Sequence, residues 1–155
     1  MTEFWFYHLQ AQPLAKVLPA LVEKTLARGW KAVIQTASEE RVAALDDLLW
    51  TYSDATFLPH GKQGESDAEL HPVYLTQGDE TPNGAEVRFY LDGTGPRTTA
   101  DESAKHLRGI IIFDGNDADA LSTARQQWKQ LQGSGTTLAY WQQTPQGQWE
   151  KKASA

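Results

Sequence analysis

No cysteine occurs anywhere in these 155 residues. Disulfides, thiolate zinc sites and cysteine nucleophiles are therefore excluded outright. Long apolar runs are also missing, and the opening Met1-Thr2-Glu3-Phe4 carries no basic region. Neither a signal peptide nor a membrane span is expected, which points to a soluble cytoplasmic protein. Positive charge is scarce: 14 Lys and Arg stand against 20 Asp and Glu, giving a formal net charge of -6 and a pI near 5.1. A nonspecific nucleic-acid binder needs a basic surface to displace counterions, so that class is disfavoured.

The marks of a nucleotide-dependent enzyme are absent too. A phosphate-cradling loop needs glycines between a strand and the helix that follows. Here the first two predicted strands lead into Gln10-Ala11-Gln12-Pro13 and Ala37-Ser38-Glu39, neither with a glycine. Gly93-Thr94-Gly95-Pro96 has the glycines, but no apolar helix follows it. No Gly-x-Ser-x-Gly elbow occurs. His8, His60, His71 and His106 show no metal-ligand spacing. The stretch Asp114-Gly115-Asn116-Asp117-Ala118-Asp119 resembles a calcium loop but fails as one. Ala118 replaces a ligand, and Arg125 stands where the bidentate Glu belongs. Asp114 and Asp117 leave open a small Mg-dependent enzyme; the simpler reading is acids placed at the positive end of a helix dipole. No catalytic residue set, cofactor or metal is expected.

What is present is one domain's worth of alternating strands and helices. A chain of this length buries about 68–70% of its unfolded surface as a single domain. Glu3 to Leu9 reads as an aromatic first strand. Leu14, Val17, Leu18, Leu21, Val22 and Leu26 then follow helical spacing up to Gly29, with Pro19 inside the pattern. Ala32 to Thr36 is a short buried strand, after which Ser38 caps a helix whose first turn holds Glu39 and Glu40. A polar loop from Gly61 to Leu70 precedes strands at Val73–Thr76 and Val87–Leu91, which are separated by the turn Thr81-Pro82-Asn83-Gly84. The unbroken run Gly109 to Phe113 has the look of a central parallel strand covered on both faces. A helix to about Leu131 and a strand from Thr137 to Trp141 follow. This order predicts an α/β, mostly parallel, doubly wound sheet in one domain over 1–149. Loop 92–104 and a flexible tail over 150–155 are the segments expected to be least ordered.

Six Trp are more than a core of this size needs. Trp50, Tyr52 and Phe57 fall where a helix end turns into a short strand that breaks at Leu58-Pro59. Large aromatics at such a turn either roof a core or anchor a protein contact. Taken alone the roof is the simpler reading, because single exposed apolar residues are ordinary. On the last helix, Arg125 and Lys129 lie one turn apart with Trp128 beside them. Cations in the C-terminal half of a helix suit its dipole. The alternative is a cationic notch for a carboxylate, walled by the strand Leu138-Ala139-Tyr140.

The order of these features is similar to that in the chi subunits of bacterial DNA polymerase III. The chain has the first strand ending Phe6-Tyr7-His8-Leu9, a helix ending Arg28-Gly29, and the strand Lys31-Ala32-Val33-Ile34. It has Leu45-Asp46-Asp47-Leu48-Leu49-Trp50 and, after six intervening residues, Phe57-Leu58-Pro59-His60. It ends with Phe113, Ala124-Arg125-x-x-Trp128-Lys129, Gly135 and Leu138. The resemblance runs from about residue 3 to 142. It implies a Rossmann-like adaptor without catalysis, attached to the clamp loader, that touches DNA only indirectly. By this resemblance Lys129 and Arg125, with Trp128 and Leu138, receive the acidic C-terminal tail of single-stranded-DNA-binding protein, which ends in Pro-Phe with a free carboxylate. Trp50 and Phe57, with Pro59 and His60 shaping the turn, form the surface for the psi subunit or a competing helicase. The pattern departs from the family over 77–107, to which nothing is carried across. It departs again at Asp114, where an apolar or neutral residue is expected beside the tail pocket.

Overall fold

A computed structural model describes residues 3–53, 58–96, 106–133 and 136–154. Phe57 and residues 97–104 of the long loop lie outside the described residues.

The first strand, β1 (Glu3–Leu9), alternates so that Phe4, Phe6 and His8 face one side while Trp5, Tyr7 and Leu9 face the other. Helix α1 (Leu14–Ala27) then buries Val17, Leu18 and Val22. Pro19 lies within α1 and is itself buried. Its ring removes one early i→i−4 bond, while Pro13's carbonyl still accepts from Lys16 and Val17 and starts the helix. Gly29, at φ +81°, ends it with an N–H donated to the Leu26 carbonyl.

Strand β2 (Ala32–Gln35) leads to helix α2 (Glu39–Thr51). Ser38 caps α2 by accepting from the Arg41 N–H at 3.2 Å, and Val42, Leu45 and Leu49 are buried. Strands β3 (Gly61–Lys62), β4 (Val73–Thr76) and β5 (Val87–Tyr90) follow, with a single 3₁₀ turn at Ala68–Leu70. Strand β6 (Arg108–Asp114), helix α3 (Ala118–Leu131), strand β7 (Thr137–Gln143) and strand β8 (Trp149–Ser154) complete the chain.

The eight strands of the described residues form one sheet in the order β3-β4-β2-β5-β6-β1-β7-β8, parallel throughout except for the β7–β8 pair. One face carries α1 and α2 over Ile34, Leu75, Phe89 and Ile112; the other carries α3 over Phe4, Phe6, Ile111 and Phe113. This is the doubly wound, mostly parallel α/β architecture that the strand–helix alternation predicts. Strand β6 is central and packed on both sides, and it tolerates a glycine for a steric reason. A Cβ on Gly109 would lie 2.5 Å from the Phe4 ring. Among the described residues no helix is long and apolar enough to cross a membrane.

Two sequence expectations are corrected. The tail expected to be free from residue 150 is instead the edge strand β8, paired antiparallel with β7. Its charges hid it: Glu150, Lys151 and Lys152 are exposed, as suits an edge strand, and Trp149 supplies the anchor by packing edge-on against Tyr7 at 4.9 Å. The segment read as a polar loop from Gly61 begins instead with strand β3, while the short strand expected ahead of Leu58-Pro59 falls on residues 54–57, outside the described residues. Pro59 has no N–H to give a ladder, and the His60 ring turns back onto the Leu58 carbonyl at 2.7 Å. Gly61 is needed at the pairing, because a Cβ there would meet the His71 ring at 2.3 Å.

Candidate functional site

Strand order reverses direction around β1. Its own connection passes to β2 on one side, while β6 crosses by α3 to β7 on the other. Ligands of open α/β sheets sit at such a switch point, outside the carboxyl ends of the strands. A crevice of about 770 Å³ occupies this position, lined in part by Asp92, Asp114, Asp117 and Asp119. The backbone donors that would meet a phosphate are already taken. The buried Gln143 side-chain carbonyl accepts from the N–H groups of Gln10, Ala11 and Gln12 at 3.2, 2.9 and 2.9 Å. Asp117 caps α3 by accepting from Asp119 and Ala120, and Asp114 accepts from the Asn116 N–H at 2.9 Å. The acids therefore stabilise a turn and a helix start, and their charge repels an anion. Asp92 is held by Thr36 and by the Arg41 guanidinium.

The second locus is the outer face of α3. Leu121, Ala124, Trp128 and Leu131 turn inward, which leaves Arg125 and Lys129 exposed one turn apart. Neither is in an ion pair among the described residues. Trp128 sits edge-on to Phe6 at 5.3 Å and to Tyr140 at 5.8 Å, so its ring stands upright as a half-buried wall beside the two cations. Leu138 is placed differently from expectation. It is only 1% exposed, inside the core with Phe6 and Leu131, and the accessible wall is made by Trp128 and Tyr140 instead. The parallel register explains this: Leu138 pairs with Phe4 and Tyr140 with Phe6, so both point to the α3 side, and only Tyr140 lies near the open carboxyl end.

Tyr140, expected as part of the wall, is joined at this locus by His8, to which the sequence reading gave no role here. His8 is 7% exposed, and its Nδ1 lies 2.7 Å from the Tyr140 hydroxyl. Burial holds the His8 imidazole below its ordinary pKa; Arg125 pushes the same way and Asp114 opposes. Burial raises the Tyr140 phenol, and Arg125 opposes that shift. The Arg125 charge is thus felt at both side chains, and Asp114 belongs to the same electrostatic neighbourhood. Alternation along β1 and β7 carried a signal for this His–Tyr pair. Their facing across the sheet required the register.

The third locus is the end of α2. Trp50 is 55% exposed, the largest such aromatic among the described residues, and its ring lies 5.0 Å from that of His60. Beneath it the His60 ring is fixed at both nitrogens, by the Leu58 carbonyl and by Asp46 Oδ1 at 2.9 Å. Lys62 approaches the other Asp46 oxygen at 3.6 Å. Pro59 is exposed beside this stack. The indole thus projects from a base that is fixed by hydrogen bonds.

Comparison with known proteins gives a consistent result. The model of the family described as "DNA polymerase III chi subunit, HolC" matches residues 1–139. A "Probable DNA polymerase III subunit chi" of Rickettsia prowazekii is 28% identical over 158 residues, covering 99% of this chain and 93% of that protein. The "DNA polymerase III subunit chi" of Pseudomonas aeruginosa is 32% identical over 99 residues, covering 62% of this chain and 68% of that protein.

Proposed function

The chain belongs to the DNA polymerase III chi subunit family, a replication accessory group, and we propose that it serves as a non-catalytic adaptor. In this reading it links the clamp loader to single-stranded-DNA-binding protein. The observation that carries the reading is the α3 face: two exposed cations one turn apart, without an ion pair among the described residues, next to an upright aromatic wall, in a chain that is otherwise acidic. An acidic peptide ending in Pro-Phe with a free carboxylate is complementary to that surface, with its ring against Trp128 and Tyr140. The occupied backbone donors after β1 speak against the nucleotide or Mg enzyme alternative based on Asp114 and Asp117. The projecting Trp50, with Pro59 and the His60 base, serves a second protein, the psi subunit or a helicase. Phe57 joins that proposal through the family resemblance.

The protein's net charge of -6 opposes an acidic ligand, but screening beyond about 8 Å at physiological salt leaves the local cations in control. Binding is therefore modest and falls as salt rises. Fluorescence anisotropy with a labelled peptide of several Asp, an aliphatic residue, Pro and Phe tests this. Lys129→Glu should weaken binding by at least about tenfold, the equivalent of about 1.4 kcal/mol. Unchanged affinity in both Lys129→Glu and Arg125→Glu would place the tail site elsewhere.

A further inference from the structure

Helices α1 and α2 cover their face of the sheet over β4, β2, β5 and β6; from β1 outward that face is floored by Trp5, Tyr7, Trp141 and Trp149. The three tryptophans are only half-buried, and a groove of about 540 Å³ opens over them. Its other wall is the end of α1, where Lys24 and Arg28 stand one turn apart with Trp30 just beyond. This groove lies on the opposite face of the sheet from α3.

Rings and cations succeed one another along it. Trp149 packs on Tyr7 with centroids 4.9 Å apart, and Trp5 lies 6.4 Å from Tyr7 and 5.8 Å from Trp141. The Arg108 guanidinium sits 3.8 Å over the Trp5 ring and 5.5 Å from Trp30, and Arg28 covers Trp30 at 4.6 Å. Lys151 adds a fourth cation, exposed and opposite Trp141 in the β7–β8 pair. Among the described residues one of these four has a carboxylate partner, Arg108 with Glu3 at 3.2 Å. Lys24 and Arg28 suit the dipole of α1, but Arg108 and Lys151 come from strands and have no such reason to be there. Cations from α1, β6 and β8 thus converge on one aromatic strip in a chain of net charge -6.

An acidic peptide would meet the cations and leave the indoles idle. A single strand of nucleic acid meets both, because unpaired bases stack on indole and guanidinium faces while the phosphates face the cations. The strip also runs from an edge strand to a helix end, which suits an extended chain. We propose that it binds a short single-stranded nucleic-acid segment, with Trp5 and Trp30 as stacking platforms and Lys24, Arg28, Arg108 and Lys151 facing phosphates. The chain's net charge opposes a polyanion at long range, so binding is weak and confined to the strip. The contact is direct and independent of the α3 face. Trp141, Trp149 and Lys151 lie past the region that the family model matches.

Anisotropy of a labelled oligothymidylate of about twelve nucleotides tests this at about 50 mM salt, where a Kd of about 10–100 μM is expected. Affinity should fall with salt at a log–log slope of about -2, as for about three phosphates on a single strand. Lys24→Glu combined with Arg28→Glu should weaken binding by at least about tenfold and Trp30→Leu by at least about fivefold, while the acidic tail peptide binds both variants as it binds the wild type. Lys129→Glu should show the converse, keeping the oligonucleotide. A duplex of the same length should bind at least about tenfold more weakly, since its bases are already stacked. Circular dichroism melts accompany each variant; should Trp30→Leu melt early, the surface pair Lys24→Glu and Arg28→Glu decides with the duplex comparison. Absence of wild-type binding at about 100 μM protein would refute the site. Loss in Lys129→Glu with full binding in the Lys24→Glu, Arg28→Glu variant would move the strand to α3 and refute it equally. Equal binding of the duplex would leave charge attraction without stacking, and displacement by polyglutamate as readily as by unlabelled oligothymidylate would make the groove an acidic-peptide site; either result overturns the proposal while leaving the tail site untouched.

Discussion

Replacing Trp50 by alanine separates an anchor from a roof, and the structure supplies the magnitude. A tryptophan buries about 150–250 Å² when fully covered, so its 55% exposure leaves about 80–140 Å² for a partner. At about 25 cal/mol per Å² this amounts to about 2–3.5 kcal/mol, or a loss of about 30- to 300-fold in affinity. The cost to the fold should be small by comparison, about 1 kcal/mol or less, as for a largely exposed side chain. The indole lies against His60, and that ring is held independently by Leu58 and Asp46. The assay is calorimetric titration of Trp50→Ala against the psi subunit proposed as its partner, with the acidic tail peptide as an internal control. Partner binding should collapse while peptide affinity and melting temperature stay near those of the wild type. Full partner affinity in the variant would refute the anchor. A parallel loss of peptide binding and of cooperative melting would show that Trp50 roofs the core.

Three further outcomes are expected. Arg88 is 2% exposed and donates to Gln35 Oε1, the Glu80 and Gly78 carbonyls and Thr81 Oγ1 within 3.0 Å, so Arg88→Met should cost at least about 3 kcal/mol in urea unfolding. A loss below about 1 kcal/mol would mean that this network is dispensable. Ending the chain after Thr144 removes β8 and the Trp149–Tyr7 contact, which should lower the melting temperature by about 5–10 °C; an unchanged melt would make β8 ornamental. Because His8 is held below its ordinary pKa by burial, with Arg125 adding and Asp114 opposing, the unfolded chain takes up this proton first as pH falls. Stability should therefore decline on acidification below about 6.5, and His8→Leu should flatten that part of a denaturant-midpoint series; equal slopes would exclude His8 as a source.

Much of the fold was legible because its signals are local. The apolar run from Gly109 to Phe113, the Ser38 cap and the glycine at 29 each act within a few residues, and each stands where periodicity predicts. Edge strand β8 was not legible, since a single aromatic among charged residues gives no two-sided pattern and its partner is supplied by β7. Buried Arg88 was equally hidden, because its partners come from β2 and from the loop before its own strand. Sequence alone determined the chemistry available at the sites: two cations one helical turn apart, an aromatic at a helix end, no thiol and no glycine loop. Only the tertiary structure decided which of these groups meet. Parallel register sets Tyr140 beside Phe6 and seals Leu138 beneath them, and the crossing of β6 to β7 lets the Arg125 charge act on His8 from 117 residues away. Helical and strand periods report which face a residue occupies. The occupant of the opposite face is fixed by chain crossings that no local pattern encodes.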